Sequence, residues 1–378
     1  MGGGPVEAGA RRTADAVLAV ARGETPRVGP AADDEARFVT AVRRHRVAPL
    51  AHVLLRDAGL APAETLRADR NAAMAHHLRA VATLGALDEL FDDLSWVAFK
   101  GPVLSETAHP VPGIRTYQDL DVLVDPADLR RGVDRLLDAG WRVADPPEAL
   151  RYRATPGEMH VLTPSGLIID LHWAMLNMKT ERVEFSIGTR ELLSRRVRVP
   201  LGLGAAWTLD PVDSLVHACL HATLTGADRM LLLVDVDALA RRVDRWDDVV
   251  ERAREWGAGP ALAVVLSRAR RVLGTPFPAD VEAELLPSTA YRLVLRATDR
   301  LAPVPALTRD ASLARIVARA ARRTGGASMR ELASRFGHGV VDRVGPERRT
   351  SGAAETATRA DLDIYLDGVE AEAGRVTR

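Results

Sequence analysis

Three places in the chain set two aspartates two positions apart: "DLDVLV" (Asp119, Asp121), "LLLVDVDALA" (Asp235, Asp237) and "RADLDIYLDG" (Asp361, Asp363). A carboxylate pair at that spacing can share a divalent cation only if both side chains leave the backbone on one side. In a β-strand they do, because successive side chains alternate faces. On a helix, positions i and i+2 lie about 200° apart and the pair diverges. "DLDVLV" reads as a strand with Leu120 and Val122 on the opposite face. "DVDALA" fits a helix as well as a strand, through Leu232, Asp235, Ala238 and Leu239. "DLDIYLD" lies in an acidic stretch and reads as the solvated face of a last helix. The first pair is the metal candidate, with simple solvation as its alternative.

A further carboxylate joins it. In "LIIDLHW", Asp170 and His172 share a face opposite Ile169 and Leu171. If that strand lies beside the one carrying Asp119 and Asp121, three carboxylates meet, and hard oxygen ligands suit Mg2+ or Mn2+ better than zinc. Upstream, "FKGPVLSETAHPVPGIR" supplies a glycine directly after a strand, Lys100, and Arg115 four residues before the pair. Glycine lets backbone N–H groups approach phosphate oxygens, and Lys or Arg adds charge-assisted contacts. Of the 51 basic residues only Lys100 and Lys179 are lysines, and a compact ammonium is not interchangeable with a guanidinium. Phosphate donors upstream and carboxylates downstream describe a metal–nucleotide site.

The elements that must position these groups follow from periodicity. Residues 1–30 are rich in Gly, Ala and Pro, with one short helix around 12–22. From Asp33 to about Leu94 apolar residues recur at helical spacing. At Trp96 the period changes: "WVAFKG", "DLDVLV" and "WRVA" read as strands, and "EMHVLTPSGLIIDLHW" as strand, turn, strand. Between them, "DPADLRRGVDRLLDAG" has Asp125 as N-cap, Pro126 at N1 and Gly140 at the C-terminal cap position. From Pro211 the helical period returns. The expected fold class is α+β: a mixed-sheet core (95–205) between an N-terminal helical region (1–94) and a C-terminal helical domain (206–345), with a polar tail (346–378) carrying one short helix.

Composition removes several classes. The 378 residues are 47% apolar and 27% charged, ordinary for a globular chain with a sizeable core. Formal net charge is zero and aromatics make up 4%, so neither an electrostatic footprint nor stacking platforms argue for nucleic acid. One cysteine, Cys219, excludes an internal disulfide and reads as a buried thiol. No apolar run approaches a membrane span, and the N-terminus lacks a signal-peptide pattern, so a cytoplasmic location is expected. His217 and His221, in "HACLH", share a helical face but lack the glutamate of a zinc-protease helix and read as packing residues. His172 either contacts substrate and orients Asp170 or is a satisfied strand histidine. The segment 308–349 is basic and reads as a solvated face or a binder of anions.

The ordered set "FKG…GIRTYQDLDVLV…LIIDLHW" resembles a bacterial group of uncharacterised nucleotidyltransferases in the DNA polymerase β-like superfamily, of the MNT type. The likeness is close over residues 95–175 and looser in the flanking helices. It implies that Asp119 and Asp121 bind two Mg2+ (or Mn2+) ions, with Asp170 completing the catalytic metal site. It also implies that an NTP such as ATP is the donor of an NMP, with release of pyrophosphate. Where the superfamily carries Gly-Ser or Gly-Gly, this chain has Gly101-Pro102, and proline offers no N–H. Lys100, Gly101, Arg115 and Thr116 are therefore the expected nucleotide-binding set. The acceptor stays open among a small molecule, a peptide, a protein and an RNA end. An inactive nucleotide- or partner-binding module of the same fold is the alternative.

Overall fold

The computed structural model describes residues 5–29, 31–286, 288–308, 312–337 and 357–376. Its sheet forms where the sequence alternates. Strands β1 (Trp96–Phe99), β2 (Asp119–Val124), β3 (Arg142–Val143), β4 (Glu158–Leu162) and β5 (Ile168–His172) pair in the order β1-β2-β5-β4-β3. The β2–β5 pair is parallel and the other pairs are antiparallel, so the sheet is mixed. The α+β class expected from the sequence is the class observed.

Alternation gives each strand an apolar and a polar side. Trp96 and Ala98, then Leu120, Val122 and Val124, then Met159 and Val161, then Ile169 and Leu171, all enter one core. Across it pack Leu84, Leu87 and Phe91 from the end of the long helix Glu64–Leu90 and the turn after it. Leu129, Val133 and Leu136 of the helix Leu129–Asp138 complete this layer. That helix starts three residues later than its punctuation implies. Asp125 accepts from the N–H of Ala127 through its side chain and from that of Asp128 through its carbonyl, so it builds a turn rather than capping the helix directly.

Two compact units result, and neither is continuous in the chain. One comprises Met1–His76, Leu104–Thr116 and Pro211–Val341; the other His77–Val103, Tyr117–Asp210 and Asp342–Arg378. The expected divisions at 94, 205 and 345 therefore do not delimit them. The first unit is helical in its described residues; the second holds the sheet and a β-hairpin, Val197–Leu201 with Gly204–Thr208.

The end of the chain corrects a second expectation. In place of a polar tail with one short helix, Arg359–Val376 is an 18-residue helix. Its Leu362, Tyr365, Leu366 and Val369 enter the core of the sheet. Of the basic segment 308–349, residues 309–311 and 338–349 lie outside the described residues, as do 346–356 of the expected tail. No helix among the described residues is long and apolar enough to cross a membrane.

Candidate active site

The polar side of the sheet carries the chemistry. In the parallel pair Asp119 lies opposite Ile168, Asp121 opposite Asp170 and Leu123 opposite His172. Asp119, Asp121, Asp170 and His172 consequently project from one face, as the alternation in "DLDVLV" and "IIDLH" requires. In the antiparallel pair on the other side of β5, His160 faces Asp170 and Glu158 faces His172. Glu158 and His160 thus join the group. They had a sequence signal: the Thr-Pro-Ser-Gly turn fixes the hairpin register, which sets both residues opposite Asp170 and His172.

Lys100 follows β1 directly. Its φ is 57°, a left-handed backbone that lysine rarely adopts, and Gly101 after it has φ 25°. This sharp turn opens the helix Gly101–Thr107 and places Pro102 in its first turn, where a missing N–H breaks no helical bond. From there Lys100 Nζ donates to Asp121 Oδ1 at 2.6 Å and sits 5.1 Å from the centre of the Phe99 ring. The Phe99 ring in turn lies 5.2 Å from that of His172.

His172 stands between two acids, with Nε2 at 3.4 Å from Asp121 Oδ1 and Nδ1 at 3.3 Å from Glu158 Oε2. The ring is buried, and neither nitrogen makes an aligned hydrogen bond. Burial alone would lower its proton affinity, but Asp121 and Glu158 hold the imidazolium above its usual range. Burial would likewise raise Asp121, yet the charges of Lys100 and His172 keep its carboxyl well below the ordinary carboxylate range. Asp170 goes the other way. Burial and the negative charges of Asp119, Glu158 and Asp121 push it up to about 7, against a partial offset from His160. Two neighbouring carboxylates thus differ because Asp121 has the Lys100 ammonium at 2.6 Å, whereas the acids around Asp170 outweigh His160.

This donor set fits a hard divalent cation, since carboxylates from adjacent strands crowd one face and the negative charge around Asp170 outweighs what His160 offsets. The three aspartates have not gathered around a single point, however. Asp121 turns to Lys100 and His172. Among the described residues, the ligand atoms within 4.8 Å of one another are those of Glu158, His160 and Asp170.

The remaining expected residues have other occupations. Arg115 is buried in the helical unit and pairs with Asp235, Nε at 3.1 Å from both carboxylate oxygens and Nη2 at 3.0 Å from one. Asp235 also meets His109 Nε2 at 2.8 Å, and burial, which would raise its carboxyl, is outweighed by Arg115 and His109 so that it stays low. Arg115, expected in the nucleotide-binding set, thus has its guanidinium engaged by a buried carboxylate. Thr116 Oγ1 donates to the carbonyl of Arg46 at 3.1 Å, which makes it a loop anchor. Asp237, on the helix Met230–Ala240, pairs with Arg241 four residues on. Asp361 is not solvated: the N–H and hydroxyl of Thr358 donate to it at 2.8 and 2.7 Å, and Arg151 Nε at 2.5 Å. His217 and His221 stack with ring centres 6.1 Å apart on their helix, and Cys219 between them is buried, its thiol pushed up by burial.

Among curated proteins none matches the chain. A family model described as uncharacterised nucleotidyltransferase matches residues 31–274, a stretch that contains β1 to β5 and every aspartate and histidine of the sheet's polar face. The chain belongs to this nucleotidyltransferase family.

Proposed function

We propose that the polar face of β2 and β5 transfers an NMP from an NTP to an acceptor, with release of pyrophosphate. The observation that carries this reading is the parallel register that sets Asp121 beside Asp170, with Asp119 on the same face. Asp119, Asp121 and Asp170 would hold Mg2+ or Mn2+. Such ions, when bound, neutralise charge and clamp the attacking and leaving oxygens of an in-line displacement. Lys100 supplies a second positive charge; an ammonium that no longer needs to neutralise Asp121 is free to meet the triphosphate. Gly101, at the turn, keeps side-chain bulk away from the same oxygens. Asp170 faces Asp121 across the parallel pair. It takes the proton of the acceptor as the acceptor's bond to the α-phosphorus forms and the α–β bridging bond breaks toward pyrophosphate.

One observation favours a second reading, a nucleotide-binding module without turnover. The ammonium of Lys100 occupies Asp121 at 2.6 Å, and Pro102 offers no N–H at the turn. The two readings separate by calorimetry and a pyrophosphate assay. Transfer requires NTP binding that depends on Mg2+ and is followed by pyrophosphate release. NTP binding that is indifferent to Mg2+ and never yields pyrophosphate supports the module instead.

A further inference from the structure

The sheet face holds a second donor set whose composition differs from the three aspartates. Glu158, His160 and Asp170 bring two carboxylate oxygens and one imidazole nitrogen within 4.8 Å of one another. His160 Nε2 lies 3.5 Å from Asp170 Oδ1 and 3.7 Å from Glu158 Oε1. Those separations are long for hydrogen bonds. They match the roughly 3.4 Å between two ligand atoms on one tetrahedral ion with bonds of about 2.1 Å.

The surroundings are those of a metal-bound histidine. His160 Nδ1 is engaged by Asp145 Oδ1, and Asp145 Oδ2 also accepts from the His160 backbone N–H at 2.5 Å. A carboxylate on one ring nitrogen fixes the ring and presents the other nitrogen as a ligand. Asn177 Nδ2 donates to Glu158 Oε1 at 2.7 Å and so holds the glutamate in place. An independent observation comes from His172. It is only 4% exposed, neither of its ring nitrogens has a hydrogen-bond partner, and its Nδ1 is aimed at Glu158 Oε2 from 3.3 Å. As an imidazolium it cannot itself ligate a metal, and it holds Glu158 from the side away from His160.

We infer that Glu158, His160 and Asp170, with His172 beside them, form a site for a borderline transition-metal dication such as Zn2+, distinct in donor chemistry from the carboxylate trio. Mixed nitrogen and carboxylate donors favour zinc and its neighbours over Mg2+, which takes oxygen ligands. Asp170 belongs to both sets, so a zinc ion here withdraws Asp170 from the magnesium set of the proposed function.

The test uses the full-length protein, stripped with a chelator, dialysed against Zn2+ alone and assayed for bound metal, without nucleotide. One Zn2+ per chain is expected. His160→Gln is expected to lose at least tenfold in affinity, and Asp145→Asn about 10–100-fold, as for other carboxylates behind a liganding histidine. Co2+ in place of Zn2+ should give visible absorption bands that weaken in His160→Gln, a readout that a merely structural histidine would not move. Circular dichroism confirms that each variant is folded, and the Co2+ spectra of the wild type and Asp145→Asn decide the matter should His160→Gln unfold. Wild-type protein without stoichiometric Zn2+, or His160→Gln and Asp145→Asn variants that bind it unchanged, overturns the inference. Zinc binding by a protein that transfers no NMP leaves this inference standing and removes the proposed function; transfer without zinc binding does the reverse.

Discussion

Lys100 adopts a left-handed backbone that costs a side-chain-bearing residue about 1 kcal/mol. The return is contact with Asp121, whose carboxylate is otherwise buried without a neutralising partner of its own sign-opposite kind other than His172. Lys100→Met is expected to lower the unfolding free energy of metal-free protein by about 3 kcal/mol in urea titrations, because a buried carboxylate is left with His172 in place of its closest cation. Mg2+ should restore part of that loss; an unchanged midpoint would show that the pair contributes nothing. Asp170 makes the opposite contribution. Its folded-state proton affinity is raised to about 7, so its stabilising share is complete below the ordinary aspartate value and fades as pH rises through about 7. A cation must displace that proton, so Mg2+ affinity measured by calorimetry should weaken up to about tenfold from pH 8 to pH 6, with proton release at the lower pH. Equal affinity and no proton release would contradict it. At this scale the sequence was informative where neighbours are local. Alternation sets Asp119 with Asp121, and Asp170 with His172, on one face of each strand, and the hairpin turn sets Glu158 and His160 opposite the second pair; that the two strands lie side by side comes from the structure. The role of Arg115 was not legible, because its partner Asp235 lies 120 positions away on a helix.

At the scale of elements, the helix Arg359–Val376 shows how a signal can be masked. Thr358 and Asp361 form a reciprocal capping box: the Thr358 hydroxyl accepts from the Asp361 N–H at 3.3 Å while the Asp361 carboxylate accepts from the Thr358 N–H. Apolar residues at 362, 365, 366 and 369 carry helical spacing. The intervening Asp363, Asp367 and Glu370 made the stretch look solvated, but all three receive hydrogen bonds from Arg130. Thr358→Ala should cost about 1 kcal/mol of stability by chemical denaturation. Leu366→Ala, in the core, should cost about 2–5 kcal/mol. If Leu366→Ala is neutral, the helix is not part of the packed unit. The strands were legible because each keeps its period; the start of the helix Leu129–Asp138 was displaced because Asp125 serves a turn first.

At the scale of the whole molecule, the chain order conceals the architecture. Segments 104–116 and 211–341 belong with the first 76 residues, while 77–103, 117–210 and the C-terminal helix belong with the sheet. Periodicity identifies each element but says nothing about which distant elements share a core, so the sequence-based boundaries followed changes of period instead. Within the helical unit, Asp235 holds both Arg115 and His109. Asp235→Ala should destabilise it by about 3–5 kcal/mol, read by thermal or urea unfolding, because a buried guanidinium is left unpaired; a neutral result would reopen a phosphate-binding role for Arg115. The central claim concerns the sheet's polar face. It is tested most directly by incubating wild-type, Asp121→Asn and Asp119→Asn proteins with each α-labelled NTP, Mg2+ and a cell extract, and following the label. The account predicts Mg2+-dependent transfer of label to an acceptor by the wild type, lost in both variants while circular dichroism stays unchanged. Undiminished transfer by both variants would contradict it.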